Sequence, residues 1–292
     1  AYHMLTESKI KQLLRQRNLR PKKHLGQNFL VDANTSAKIL EHSGVSGDDT
    51  VMEIGAGAGS LTLGLCRLAK KVIAVERDKQ LCAVLEDSLS QQKNLKIICA
   101  DFLKVDLKEL APKGRIKIIG NLPYCITTPI IEKIIENRSL IEYAVVMVQK
   151  EVGLRLAASP GTKDYGSITC YVQYYTKPRI MMDIKKTVFF PRPEVDSVVV
   201  KLDVPDKPSV PVKDEALLFK AIRLSFGQRR KTLAGALSHR SALGMAKPGM
   251  KDLLNSVGID PMRRGETLSL EEFARLSDAV LLTHSTRPKP RP

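Results

Sequence analysis

Val51-Met52-Glu53-Ile54-Gly55-Ala56-Gly57-Ala58-Gly59 is the stretch on which the fold of this chain turns. A short apolar run ends in glycines at every second position, the pattern of a buried strand that turns sharply into a helix. Outward from it the same alternation repeats. Strands are predicted at 50–54, 71–75, 95–99, 116–119 and 143–148, with helices at 59–69, 78–89 and 128–137 and a further helix over 150–157. Continuous apolar strands separated by helices predict an α/β fold, a Rossmann-like parallel sheet covered on both faces. A second short motif, Asn121-Leu122-Pro123-Tyr124, closes the fourth of these strands. In open α/β sheets ligands bind beyond the carboxyl ends of the strands. Two motifs at two such ends predict two ligands side by side, the layout of a group-transfer enzyme.

The pattern then changes. Segments 179–184 and 197–202 flank a proline-rich turn and predict a closing antiparallel strand pair, and 167–175 has helical spacing. Pro205, Pro208 and Pro211 mark a linker. Beyond it only helices are predicted, at 214–225, 229–237, 249–256 and 269–282, the last opened by a Ser269/Glu272 capping box. Before the sheet, helices are expected at 6–17 and 32–43, with Asp32 capping the second. The expected organisation is a basic N-terminal segment 1–23, with 1–3 a cloning remnant, and a catalytic domain 24–203. A linker 204–212, a smaller all-helical C-terminal domain 213–284 and a disordered tail 285–292 follow.

A formal net charge of +16 over 292 residues implies an anionic partner, with nucleic acid the first candidate. The charge clusters: Lys9, Lys11, Arg15, Arg17, Arg20, Lys22 and Lys23 occur with no acid among them. No apolar run is long enough for a transmembrane helix, and no signal peptide is visible, so a cytoplasmic protein is expected. Cys66, Cys82, Cys99, Cys125 and Cys170 are odd in number and widely spaced, which predicts reduced core thiols rather than disulfides. The histidines form no ligand pattern, and no metal is expected.

The glycine turn must be told from the dinucleotide fingerprint, which needs Gly or Ala where this chain has Ser60 and Thr62. With Glu53 just before the glycines, the G-x-G-x-G form suits S-adenosylmethionine better than NAD. A tight strand-to-helix turn alone would also use such glycines. Two further strand ends point to a ligand: Glu76, where a carboxylate can accept ribose hydroxyls, and Asp101-Phe102, where one can accept an adenine amine beside a ring.

The Asn121 motif suits amine chemistry. An adenine N6 is a poor nucleophile because its lone pair is delocalised into the ring. Acceptors at the Asn121 side chain and the Leu122 backbone would engage its hydrogens and aim the lone pair outward. Pro123 fixes the turn and cannot donate a competing N–H. Tyr124 offers a face for a flipped base.

The motif resembles the (Asn/Asp)-Pro-Pro-(Tyr/Phe) element of amino methyltransferases, with Leu in place of the first Pro. Four other stretches extend the likeness: Lys23-His24-Leu25-Gly26-Gln27-Asn28-Phe29-Leu30, the glycine turn, Phe190-Pro191-Arg192-Pro193-Glu194-Val195-Asp196-Ser197, and Phe226-Gly227-Gln228-Arg229-Arg230-Lys231-Thr232-Leu233. Together they resemble the ribosomal RNA adenine N6,N6-dimethyltransferases, in particular the bacterial small-subunit, KsgA-type branch. The resemblance implies an S-adenosylmethionine-dependent methyltransferase sheet that dimethylates two adjacent adenines near the 3′ end of small-subunit rRNA. It implies a cofactor site of Gln27, Asn28, Leu30, Glu53, Gly55, Gly57, Gly59, Glu76, Arg77, Asp101, Phe102 and Asn121. It also implies catalytic roles for Asn121, Leu122, Pro123, Tyr124 and Phe190, with Phe190 the second wall of a base pocket opposite Tyr124. RNA contacts are expected from Lys22, Lys23, Arg229, Arg230 and Lys231, and the partner is small-subunit rRNA in an immature 30S particle bound by a monomer. Two rivals stand beside it: a large-subunit methyltransferase of the antibiotic-resistance type, and a non-catalytic RNA-binding assembly factor on the same fold. An NAD-linked oxidoreductase is disfavoured by Ser60.

Overall fold

The computed structural model describes residues 7–22, 25–111, 114–228 and 230–285. The expected cloning remnant, Lys23, Arg229 and nearly all of the expected tail lie outside them. The described strands are β1 Phe29–Leu30, β2 Thr50–Ile54, β3 Lys71–Glu76, β4 Leu95–Cys99, β5 Ile116–Asn121, β6 Ile141–Gln149, β7 Lys177–Ile184, β8 Phe189–Phe190 and β9 Ser197–Asp203. The helices are α1 Glu7–Gln16, α2 Ala33–Ser43, α3 Thr62–Leu68, α4 Lys79–Ser88, α5 Leu107–Leu110, α6 Thr127–Glu136, α7 Lys150–Leu156 and α8 Ser167–Tyr175, then α9 Glu215–Gly227, α10 Leu233–Leu237, α11 Lys247–Ser256 and α12 Leu270–Ser285.

The main sheet runs β4-β3-β2-β5-β6-β9-β7, and β1 pairs with β8 apart from it. β4, β3, β2, β5 and β6 are mutually parallel, and β9 and β7 close the edge antiparallel. The chain winds outward from β2 through β3 to β4, then returns to β5 on the other side of β2. That reversal makes the β2/β5 boundary a topological switch point, where a crevice opens at the strand ends. Gly55 follows β2 and Asn121 ends β5 at this boundary.

Apolar alternation sets the layers. Val51, Ile119, Val145, Met147 and Val199 point to one face, where Ile39 and Leu40 of α2 and Leu65 of α3 cover them. Each fully buried aliphatic side chain contributes about 1.5–3 kcal/mol. One polar pair sits in this framework. Lys117 of β5 donates to Asp49 at 2.7 Å, and the two side chains are only 10% and 15% exposed.

Four expectations need correction. The helix expected from 59 begins at Thr62, because Gly59 takes φ 89°, a left-handed backbone that cannot join a right-handed helix. The helix expected from 229 begins at Leu233, with the Thr232 hydroxyl capping it at Gly235 N. Cys82 and Cys99 form a disulfide rather than remaining thiols. The parallel β3–β4 pairing sets Cys99 opposite Glu76, a few residues before Cys82 on α4, a meeting that cysteine spacing does not reveal. Finally, the chain forms two compact units, and Leu154–Thr176 joins the helical one rather than the 24–203 domain. The reason is aromatic: Tyr171 and Tyr174 of α8 pack edge-on to Phe219 of α9 at 5.4 and 5.3 Å, and Tyr175 donates to Glu215 at 2.6 Å. The sheet unit comprises the described residues up to Gly153 with Lys177–Asp206, and the helical unit comprises Leu154–Thr176 with those from Lys207 onward. The proline linker has no helix or strand, yet Val204 and Val210 are buried. Among the described residues no helix is long and apolar enough to cross a membrane.

Candidate cofactor and target-base site

A cleft of about 1080 Å³, counting its open mouth, lies at the switch point. Its lining includes Gln27, Asn28, Leu30, Glu53, the Gly55–Ala58 turn, Glu76, Arg77, Asp101, Phe102 and Asn121. These residues come from five segments that the sheet topology gathers at one end. Gly55 has φ 72°, and an added Cβ would stand 3.1 Å from the Asn121 carbonyl oxygen, so the turn admits only glycine without strain. Gly57 has φ 58°, and its amide donates to Glu76 Oε2 at 2.8 Å. The other carboxylate oxygen accepts from Asp78 N at 2.8 Å. Glu76 is therefore fixed by backbone donors with lone pairs left for a ligand's hydroxyls. Burial raises its carboxyl pKa above the ordinary value, and those backbone bonds oppose the rise.

Asp101 accepts from Leu103 N at 3.1 Å, and Arg77 lies 3.6 Å from its other oxygen. Phe102 beside it is buried, with the Lys133 ammonium 5.4 Å from its ring centre. Glu53 is 2% exposed, and its Oε2 has no hydrogen-bond partner among the described residues. Burial, with Glu76's charge adding and Thr62 opposing, pushes its pKa up to about 7. A buried, unpartnered carboxyl oxygen in the cleft wall suits a cationic ligand.

Asn121 is the best-defined polar group. Its Nδ2 donates to the Asn28 backbone carbonyl at 2.9 Å. With the amide nitrogen so tied, its carbonyl oxygen is the end available as an acceptor. Asn28 in turn donates to the Gly26 carbonyl at 3.2 Å, and Ser60 donates to the Leu30 carbonyl at 2.7 Å. Strand β1 is thus laced over the glycine turn. Leu122 is buried behind the amide, its N–H donating to the Met147 carbonyl at 3.0 Å. Pro123 opens the short helical turn that carries Tyr124, whose hydroxyl lies 2.6 Å from that of Ser197.

Phe190 lies on β8 opposite Phe29 of β1, and the Lys11 ammonium of α1 stands 4.9 Å from its ring centre. No direct ring contact joins Tyr124 and Phe190 among the described residues. Lys22 is paired with Asp78 at 2.9 Å, and Arg230 and Lys231 are exposed on the helical unit. Sequence reasoning missed Ser60, Ile126 and Ile130 as cleft residues. The 3.6-residue spacing of Ile126 and Ile130 on and before α6 was the available signal.

A doubly wound sheet with a glycine turn, strand-end acids and an anchored amide around its switch point defines a Rossmann-like methyltransferase. The family profile described as "Ribosomal RNA adenine dimethylase" matches residues 18–277. The chain belongs to that family, and its cofactor is S-adenosylmethionine. It is 48% identical over 282 residues to "Ribosomal RNA small subunit methyltransferase A" of Geobacillus thermodenitrificans (strain NG80-2), covering 94% of this chain and 96% of that one. The protein of the same name from Moorella thermoacetica (strain ATCC 39073 / JCM 9320) is 47% identical, covering 91% and 94%. Among solved structures, a dimethyladenosine transferase from Plasmodium falciparum superposes with TM-score 0.74 at 29% identity, covering 85% of this chain and 95% of that one. The 23S rRNA methyltransferase ErmE superposes with TM-score 0.67 at 25% identity, covering 86% and 99%.

Proposed function

We propose that this chain dimethylates the N6 amino groups of two adjacent adenines near the 3′ end of small-subunit rRNA, acting as a cytoplasmic monomer on an immature 30S particle. The observation that carries this reading is the Asn121 amide, tied through its nitrogen so that its oxygen is the end left to accept from an amine. The near-full-length relatives named for the small subunit favour this substrate over the large-subunit one suggested by ErmE.

S-adenosylmethionine supplies an activated sulfonium methyl. The protein's part is to bind, orient and polarise. Glu76 would accept from the ribose hydroxyls, and Asp101 from the adenine amine of the cofactor, with Phe102 beside that ring. The glycine turn, with Glu53, Gln27, Asn28 and Leu30, would hold the amino-acid end. Arg77 completes the rim, whereas Gly59, expected there too, lies outside the cleft lining and packs toward Leu85 and Leu89. At the target, the Asn121 oxygen and the Leu122 carbonyl would accept from the N6 hydrogens and turn the lone pair toward the cofactor cleft, and each methyl gained would displace one N6 proton to solvent. Tyr124 and Phe190 receive the flipped base between them. Lys23, Arg229, Arg230 and Lys231 meet backbone phosphates, whereas the Lys22 ammonium, also expected there, is taken up by Asp78.

The test is transfer of labelled methyl groups to immature small subunits, free RNA and large subunits in parallel, with mapping of the product. Dimethyladenines on the small subunit are expected. Product on the large subunit would establish the resistance-type reading. RNA binding without transfer to any acceptor would establish a non-catalytic factor.

A further inference from the structure

Asp78 lies outside the cleft lining, yet it joins more of the site's supports than an N-terminal helix cap requires. As the cap of α4 it accepts from Gln80 N at 3.1 Å through Oδ1. The same oxygen accepts from the Lys22 ammonium at 2.9 Å, and Oδ2 accepts from Gln27 Nε2 at 2.9 Å. Its own N–H donates to Glu76 Oε1 at 2.8 Å. Gln27 closes the ring by accepting from Lys22 N at 2.7 Å through Oε1. The side chain is 4% exposed.

Two lines run from this knot. One passes through Glu76 to the Gly57 amide at 2.8 Å. The other passes along Gln27 to Asn28, whose carbonyl holds Asn121 at 2.9 Å. Capping needs one carboxylate oxygen and no charge. The second oxygen and the negative charge serve the segment from Lys22 to Leu30. Burial works against that charge, and the bonds from Lys22 and Gln27 outweigh it, holding the carboxyl below its ordinary pKa.

We propose that Asp78 is a positioning residue that fastens the Lys22–Leu30 segment to the Glu76 strand end, so that cofactor seating and the aim of the Asn121 amide are set together. This rests on the methyltransferase reading above. Its decisive measurements need no RNA.

Asp78→Asn separates the two roles. Asparagine caps a helix as well as aspartate does. It carries no charge for Lys22, and its amide nitrogen would face a donor. The expected result is a folded protein with a lowered melting temperature, since the charge that Lys22 and Gln27 favour is gone, with faster amide hydrogen exchange over residues 25–31 and a loss on the order of tenfold or more in S-adenosylmethionine affinity by calorimetry well below the melt. Lys22→Met should act in the same direction, and the double variant should be no worse than Asp78→Asn alone. Gln27→Leu, which leaves the α4 cap intact, should loosen the same segment and serves should Asp78→Asn not fold. Wild-type exchange and cofactor affinity in a folded Asp78→Asn or Gln27→Leu protein would overturn the proposal. So would strictly additive losses in the double variant. If wild type methylates no RNA, the substrate reading fails while the exchange and calorimetry still decide the role of Asp78.

Discussion

Asn121 and Glu53 are two cleft residues whose roles are set by what surrounds them. Asn121 is tied at 2.9 Å to a backbone carbonyl, so the fold decides which end of the amide faces the cleft. Asn121→Ala should keep the fold and lower single-turnover methyl transfer on the order of 100-fold or more, the usual cost of losing a positioned group at a reacting centre. A near-normal rate on saturating substrate would exclude the polarising role. Glu53 is a pH probe of the cleft wall. Its folded pKa of about 7 lies above the ordinary 4.5. The stabilisation that this shift brings is present below the lower value and lost as pH rises through the upper one. Glu53→Gln stays neutral and should escape that loss, becoming more stable than wild type at pH 8 by on the order of 1–3 kcal/mol, with little difference at pH 5. Thermal melts of the cofactor-free proteins at both pH values decide it, and parallel pH curves would refute the assignment.

Among the elements, strands and caps were legible where signals are local. The Asp32 side chain accepts from Thr35 N at 2.6 Å, and Ser269 and Glu272 bond reciprocally at 3.3 and 2.9 Å, as their sequence positions predicted. The predicted helix 167–175 matches α8. Two-residue strands such as β1 and β8 carry too little periodicity to be seen, and only their pairing of Phe29 with Phe190 creates them. The Lys117–Asp49 pair pins the start of β5, the strand that ends in Asn121. Burial opposes the Asp49 charge, but bonds from Lys117 and Ser46 hold its pKa below the ordinary value. The pair's stabilisation is therefore present above the unfolded carboxylate pKa and lost as pH falls through the folded one. Asp49→Asn leaves a mostly buried ammonium without its counter-charge and should cost about 3 kcal/mol, read as a lower urea midpoint at unchanged slope. Adding Lys117→Met should recover most of the loss. A single variant as stable as wild type would show that the pair contributes nothing.

Across the whole molecule, a net charge of +16 suits a polyanionic partner, and the proposed contacts fall on both units. Arg230 and Lys231 are exposed on the helical unit. Reversing both charges should weaken particle binding and lower the magnitude of the log–log salt slope by about 1–2, because each phosphate contact releases condensed counterions. Cofactor affinity should be unchanged, since these residues line no part of the cleft. Binding titrations across a salt series check this, and equal affinities with parallel slopes would place RNA elsewhere.

The strand-turn-helix alternation, the glycine turn, the strand-end acids and the Asn121 motif are all legible in the chain read alone. Each of these is written in contiguous residues, where backbone freedom, capping and apolar period act over a few positions. Folding in three dimensions adds that Asn28 orients Asn121, that Asp78 gathers Lys22 and Gln27, that Cys82 meets Cys99, and that Leu154–Thr176 belongs with the helical unit. Those pairings join residues far apart in the chain, or depend on which surfaces are buried together. Sheet order and side-chain packing select such partners, and no local pattern encodes them.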